Sequence, residues 1–245
     1  MSVLSYLQKR ASDAVLSVVE NASISTSIAT LKKRLDSWFG DEVSEHFQFG
    51  SSTRGTILPR KMDALSDIDY MVVYSEGGYA PQTYLDRLKR FAEAYYSSSQ
   101  IRQSSPTVKL ELNHIMFELV PATKSHFGGY SIPNGVGGWQ STNPNDFNAT
   151  LTQKNNACGY LIKPTIRLAK FWNAEAGYVF DSYAFEKAMV EKYYFLCSNQ
   201  KDYLFAVFDS LSATTGVQWR NNQITRAKDI VAQVREYERK DMPVS

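Results

Sequence analysis

The chain has 245 residues, 43% of them hydrophobic and 21% charged, with 27 basic against 25 acidic side chains. That length suffices for a full core, as one large or two small domains, and the composition is that of a folded protein, not a disordered or fibrous one. A net charge of only +2 gives no support to a protein whose main work is coating nucleic acid, while leaving room for a local basic cleft.

The N-terminal stretch carries Lys9 and Arg10 inside its would-be apolar region, so it does not read as a signal peptide. No apolar run is expected to approach a membrane span, and the expected location is cytoplasmic. The two cysteines, Cys158 and Cys197, read as buried free thiols in a reducing compartment. His46, His114 and His126 are scattered without cysteine partners, which argues against zinc.

In chain order, residues 2–20 are predicted as an amphipathic helix with Val3, Leu4, Leu7, Ala11, Val15 and Val18 on one stripe. A second helix is expected over about 25–39, where Gly40 offers a C-terminal stop. Residues 47–49 and 68–74 read as strands. Pro81 opens a helix whose buried face is Tyr84, Leu85, Leu88, Phe91, Ala92 and Tyr95. Residues 107–112 and 115–120 are predicted to form a hairpin across Asn113-His114, with Pro121 stopping the second strand.

Residues 123–148 are rich in Gly, Asn and Pro and read as a long ordered loop. Trp139 is expected to anchor that loop. Everything beyond reads as helix: 149–174 with a break or kink at Pro164, then 182–197, 200–212 and 221–239. Tyr193, Tyr194 and Phe195 are expected in interhelical core. The fold class is therefore α+β. A mixed lobe over 1–148, including the N-terminal helices, is followed by a helical lobe over 149–245, with the site expected in the cleft between them.

The chemistry concentrates in HFQFGSSTRGTILPRKMDALSDIDYMVVY, residues 46–74. Alternate side chains on a strand share a face, so Asp67 and Asp69 point together while Ile68 goes into the core. Two adjacent carboxylates repel unless a cation sits between them, and magnesium, which prefers oxygen ligands and leaves room for phosphate, suits the pair. The Gly50-Ser51 turn offers backbone N–H groups and a hydroxyl to phosphates. Glu118, in MFELVPA, would join the same face if its strand pairs beside 68–74. Three carboxylates could then hold two magnesium ions about 4 Å apart, one at the attacking and one at the leaving oxygen of an in-line displacement. The bland alternatives are a solvated strand end for the Asp-x-Asp and a water-facing edge acid for Glu118.

GSSTRGT, SDIDYMVVY and FELVPA together resemble the nucleotidyltransferase fold of the DNA polymerase β superfamily. With IPNGVGGWQSTNPNDFNATL, NNACGYLIKPTIRLAKFWN and DSYAFEKAMV, the chain resembles the bacterial nucleotidyltransferases related to cyclic GMP–AMP synthase and oligoadenylate synthase, over roughly residues 45–195. That resemblance implies a polymerase β-like lobe and Mg²⁺ (two ions, with Mn²⁺ able to substitute) on Asp67, Asp69 and Glu118. Glu118 stands where the family usually has aspartate, one methylene shorter. It also implies triphosphate held by Gly50, Ser51, Lys170 and Ser182, and a base stacked on Tyr183. The substrates would be nucleoside triphosphates, ATP or GTP or both, and the product a cyclic or linear oligonucleotide second messenger in anti-phage defence. A regulatory protein partner fits the same picture, whereas a membrane or stable nucleic-acid partner does not.

The residues by themselves also allow humbler roles. Lys170 with Arg167 reads as a solvated helix face, Ser182 as a helix N-cap and Tyr183 as core. Arg54 either neutralises phosphate or pairs with Asp63. Two other functions stay open: transfer to a protein, a tRNA or an antibiotic, and an inactive nucleotide-binding sensor.

Overall fold

The computed structural model describes residues 2–104, 106–125 and 128–240; His126 lies outside them. In chain order the elements are α1 (Val3–Asp13), α2 (Val18–Phe39), β1 (Val43–Phe49), the short α3 (Ser51–Arg54), β2 (Asp67–Tyr74), α4 (Pro81–Tyr95), β3 (Gln100–Ser104), β4 (Thr107–Glu111), β5 (Met116–Lys124), β6 (Tyr130–Pro133) and β7 (Trp139–Thr142). Five further helices follow: α5 (Asp146–Ala157), α6 (Ile162–Glu175), α7 (Ser182–Glu191), α8 (Gln200–Ser210) and α9 (Gln218–Arg239).

The chain divides into two units, Leu16–Ala149 and a helical one made of Met1–Val15 with Thr150–Ser245. The sequence division at 148/149 put both N-terminal helices with the sheet; in the structure α1 belongs to the helical unit, where it packs on α6 and α8. The predicted single helix over 2–20 is broken because Ser17 starts a new one. Its hydroxyl accepts from Glu20 N–H at 3.2 Å, while the Glu20 carboxylate accepts from Ser17 N–H at 2.8 Å. This reciprocal capping box satisfies two otherwise orphaned donors and fixes the start of α2, seven residues earlier than the expected 25.

One expectation needs correcting here. Within Val3–Glu42 an 18-residue window reaches a mean hydropathy of 1.3, long and apolar enough by length and composition to cross a membrane. That span is divided in the structure by the break between α1 and α2, and α2 places Leu31, Leu35 and Phe39 in the core of the sheet unit.

Among the described residues the sheet has seven strands, ordered β1-β2-β5-β4-β3, with β6 and β7 added through β5. β1 and β2 run antiparallel, β2 and β5 parallel, and β5 and β4 antiparallel. The predicted hairpin is present, closed by Leu112 N–H donating to Ile115 C=O at 2.9 Å. α2 and α4 lay their apolar stripes on one sheet face, burying Tyr70, Tyr74, Tyr84, Phe91 and Phe117 almost completely. Side chains of this size contribute about 1.5–3 kcal/mol each when taken out of water, so this layer anchors the sheet.

Four further expectations are revised. Pro121 does not stop β5, which continues to Lys124. The proline falls between the last residue paired with β4, Leu119, and the first paired with β6, Thr123, a stretch where a missing N–H is tolerated. The expected loop 123–148 contains the β6–β7 hairpin and the start of α5, and Trp139 does anchor it, edge-on to Tyr84 with ring centroids 5.5 Å apart. In the helical unit Tyr193 and Phe195 are 79% and 69% exposed, not core, because α7 ends at Glu191. Pro164 sits in the first turn of α6, where its missing N–H costs nothing; the break before it is made by Tyr160 at φ +65°.

Candidate active site on the sheet

Asp67 and Asp69 open β2, and the parallel ladder sets Asp69 directly beside Glu118 and Asp67 beside Met116. Residues facing each other across a ladder share a sheet face, so the two aspartates and Glu118 converge. The alternation that carries them outward carries Ile68 and Tyr70 into the core, both fully buried. The convergence has an electrostatic signature. Burial first, then the charges of Asp69 and Glu118, push the Asp67 carboxyl up to about 8. Lys109 works the other way but does not cancel the rise.

Gly50 supports the cluster from β1's end. Its backbone takes φ +76° and ψ −155°, a conformation that favours glycine, and a Cβ there would lie 1.8 Å from Asp69 Oδ2. The turn therefore backs directly onto the Asp69 carboxylate, and no other residue type permits that approach. After it, Thr56 and Ile57 N–H both donate to Ser51 C=O, at 3.0 and 3.1 Å, fixing the loop. Arg54 is buried to 6% exposure with its guanidinium 5.4 Å from the centre of the Phe147 ring.

Glu118 meets a cation of its own. Lys109 is its partner on β4, and Lys109 Nζ stands 2.5 Å from Glu118 Oε1. Among the described residues, no three His, Cys, Asp or Glu side chains are drawn together into a ready metal cage. The donor set nonetheless suits magnesium: three hard oxygen ligands, half-buried and mutually repelling.

The remaining expected residues lie in the helical unit. Lys170, on α6, is only 7% exposed, so the solvated-face reading is corrected. Its neighbour one turn back, Arg167, has its guanidinium pushed below the usual arginine range by burial. Ser182 is the first residue of α7 but not its cap. Asp181 takes that place, its carboxylate accepting from Ala184 N–H at 2.8 Å. Tyr183 is 52% exposed and so is not core. A cavity of about 680 Å³ in this unit is walled by Trp172, Leu204, Phe205 and Phe208 and contains none of the expected site residues. The sequence reading missed Lys109, although its position two residues into a strand opposite Glu118 was available once the hairpin was drawn.

Against known proteins, residues 1–155 match the family of the Second Messenger Oligonucleotide or Dinucleotide Synthetase domain. A probable cyclic nucleotide synthase of Bacillus cereus strain VD146 is 26% identical in a match that covers 68% of this chain; the chain spans 61% of that relative's length. The CD-NTase CdnG of Bradyrhizobium diazoefficiens, solved in complex with GTP, superposes with a TM-score of 0.74 at 10% identity, covering 94% of this chain and 91% of that one. CdnC of E. coli MS115-1, solved with ATP, gives 0.71 at 17% identity over the same shares. At these identities the superpositions establish a shared fold.

Proposed function

The chain belongs to the Second Messenger Oligonucleotide or Dinucleotide Synthetase family, and from that premise we propose that it is a metal-dependent nucleotidyltransferase. It takes nucleoside triphosphates, joins the α-phosphorus of one to a ribose hydroxyl of another, and releases pyrophosphate. The product is a cyclic or linear oligonucleotide that serves as a second messenger. The observation that carries this reading is the register of Asp69 against Glu118, with Asp67 on the same face and Gly50 packed behind.

Asp67, Asp69 and Glu118 are the residues that would hold magnesium, whose positive charge, when bound, offsets that of the phosphates and orients the reacting oxygens. The chain's own part is positional. Gly50 and Ser51 bring backbone N–H groups and a hydroxyl to the β- and γ-phosphates. Glu118 accepts the proton of the attacking hydroxyl. Lys170 binds the triphosphate from the helical unit, Ser182 adds a hydroxyl at the start of α7, and Tyr183, largely exposed, offers a ring for a base to stack on. ATP and GTP are proposed as substrates, the nucleotides named with CdnC and CdnG. A cytoplasmic location is proposed with this reading, because nucleoside triphosphates are made and held there.

The experiment is incubation of labelled NTPs with Mg²⁺ or Mn²⁺, wild type beside Asp69→Asn, with products resolved by anion-exchange chromatography. Pyrophosphate together with a new oligonucleotide from wild type alone is expected. Equal products from both proteins, or a labelled macromolecule instead of an oligonucleotide, would remove the reading. A role in anti-phage defence is proposed with it; fewer plaques on cells carrying wild type than on cells carrying Asp69→Asn is the expected outcome.

A further inference from the structure

Four strands align their side chains in one row across the sheet: Asp69 on β2 faces Glu118 on β5, which faces Lys109 on β4, which faces Arg102 on β3. Arg102 is already occupied, donating to Gln100 Oε1 at 2.8 Å and to Glu111 Oε2 at 3.4 Å. Lys109 is the cation that turns to the acids. Its Nζ lies 2.5 Å from Glu118 Oε1, and Glu118 in turn is hydrogen-bonded with Asp67. The pair is only partly solvated, with side-chain exposures of 35% and 18%. An ammonium at that distance occupies the direction from which a metal ion would approach the same oxygen, and both want that one negative charge.

We propose that Lys109 is a built-in counter-ion that competes with the divalent cation for Glu118 and so sets the metal affinity of the cluster. In the metal-free protein it holds Glu118 and offsets part of the repulsion among the acids. To serve as a ligand, Glu118 has to let Lys109 go. The free protein therefore binds metal weakly, and the oxygens of a bound triphosphate, which add ligands and negative charge, make the exchange favourable. The inference rests on the acids being the metal site, as proposed above. Lys109 acts through Glu118 and is a positioning residue.

The test is Mn²⁺ binding to the full chain without nucleotide, read from the electron paramagnetic resonance signal of free Mn²⁺, for wild type, Lys109→Met, Lys109→Gln, Lys109→Arg and Asp69→Asn. Removing a charge in direct competition should tighten Mn²⁺ binding about tenfold or more in Lys109→Met and Lys109→Gln. Lys109→Arg should stay near wild type, and Asp69→Asn should bind more weakly than wild type. Unchanged or weaker binding in both neutral variants, with Asp69→Asn still impaired, overturns the role of Lys109 and leaves the nucleotidyltransferase reading intact. Wild-type binding by Asp69→Asn takes the metal site away from the acids, and both readings fall. If both neutral variants fail to fold even with saturating Mn²⁺, as followed by circular dichroism, Lys109 is structural and the proposal is overturned.

Discussion

The sheet unit and the helical unit both bury charge, but they do it differently. In the sheet unit, three acids are forced together by backbone register: β2 pairs with β5, and no side-chain choice elsewhere moves Asp69 away from Glu118. In the helical unit, charge is buried on helix faces, as with Lys170 at 7% and Glu186 at 1% exposure. A ladder fixes side chains to within a fraction of an ångström in two directions, whereas a helix face fixes only which side of a cylinder a residue occupies. The teaching is that like-charge crowding, the costly arrangement, is placed where the backbone is stiffest. An opposite charge at a helix, which asks for less accuracy, is left to packing.

The contrast can be broken at its strongest point with Asp67→Asn. Turnover should fall about a thousandfold, comparable to removal of a central electrostatic group in other active sites. Meanwhile the metal-free protein should become more stable at pH 8, since the mutation removes a charge that burial first, and then the neighbouring acids, disfavour enough to lift the Asp67 carboxyl to about 8. Initial rates and thermal melts in a chelating buffer check both halves. A variant that is both inactive and less stable would show that the acids are not under strain.

Next in size is Gly50→Ala. The added methyl meets Asp69 Oδ2 at 1.8 Å and the residue must hold φ +76°, so a loss of about 2–4 kcal/mol is expected, together with most of the activity. Urea unfolding measures it. An equivalent glycine substitution in open space, Gly216→Ala, meets no neighbour within 4 Å and should cost far less.

The pH dependence of the metal-free protein sharpens the comparison further. Asp67 titrates near 3.8 when unfolded and near 8 when folded, so between those values the folded state holds the extra proton. Stability should therefore fall as pH rises through that window, by a few kcal/mol in all (about 1.4 kcal/mol per pH unit at the steepest). Millimolar Mg²⁺ should flatten the slope, because metal replaces the proton. A slope of opposite sign in chelator, by calorimetric melting from pH 5 to 8, would refute the crowding.

The smallest effect belongs to the helical unit. Lys170→Met should raise KM for nucleoside triphosphate about tenfold while moving kcat less, as expected for loss of one charge-assisted contact. An unchanged KM would leave Lys170 a structural residue of α6.

The sheet unit was largely legible from sequence, since period-two alternation writes both the burial and the shared face of Asp67 and Asp69. The placement of Glu118 needed one further step, the pairing of β5 beside β2, which strand order supplies only if the hairpin is drawn first. The β6–β7 hairpin escaped because neither strand buries a clean face: β7 has no buried residue, so no alternation marks it. The Ser17–Glu20 capping box was written in the sequence as S-x-x-E but lay inside an apolar stripe that read as one continuous helix. The humbler readings, Lys170 as a solvated face and Ser182 as the cap of α7, were overturned. Helical spacing gives a face but not its partner, so the burial of Lys170 is decided by packing from elsewhere in the chain, while the cap of α7 is local: Asp181, one residue before Ser182, accepts from Ala184 N–H.

The membership of α1 in the helical unit has a consequence for biosynthesis. Residues 16–149 leave the ribosome as one uninterrupted stretch and can settle as soon as they emerge. The helical unit joins residues 1–15 to residues 150 onward, so α1 has to wait for its partners α6 and α8 until the whole sheet unit has been made. A chain interrupted after the sheet unit leaves α1 without the helices that cover it.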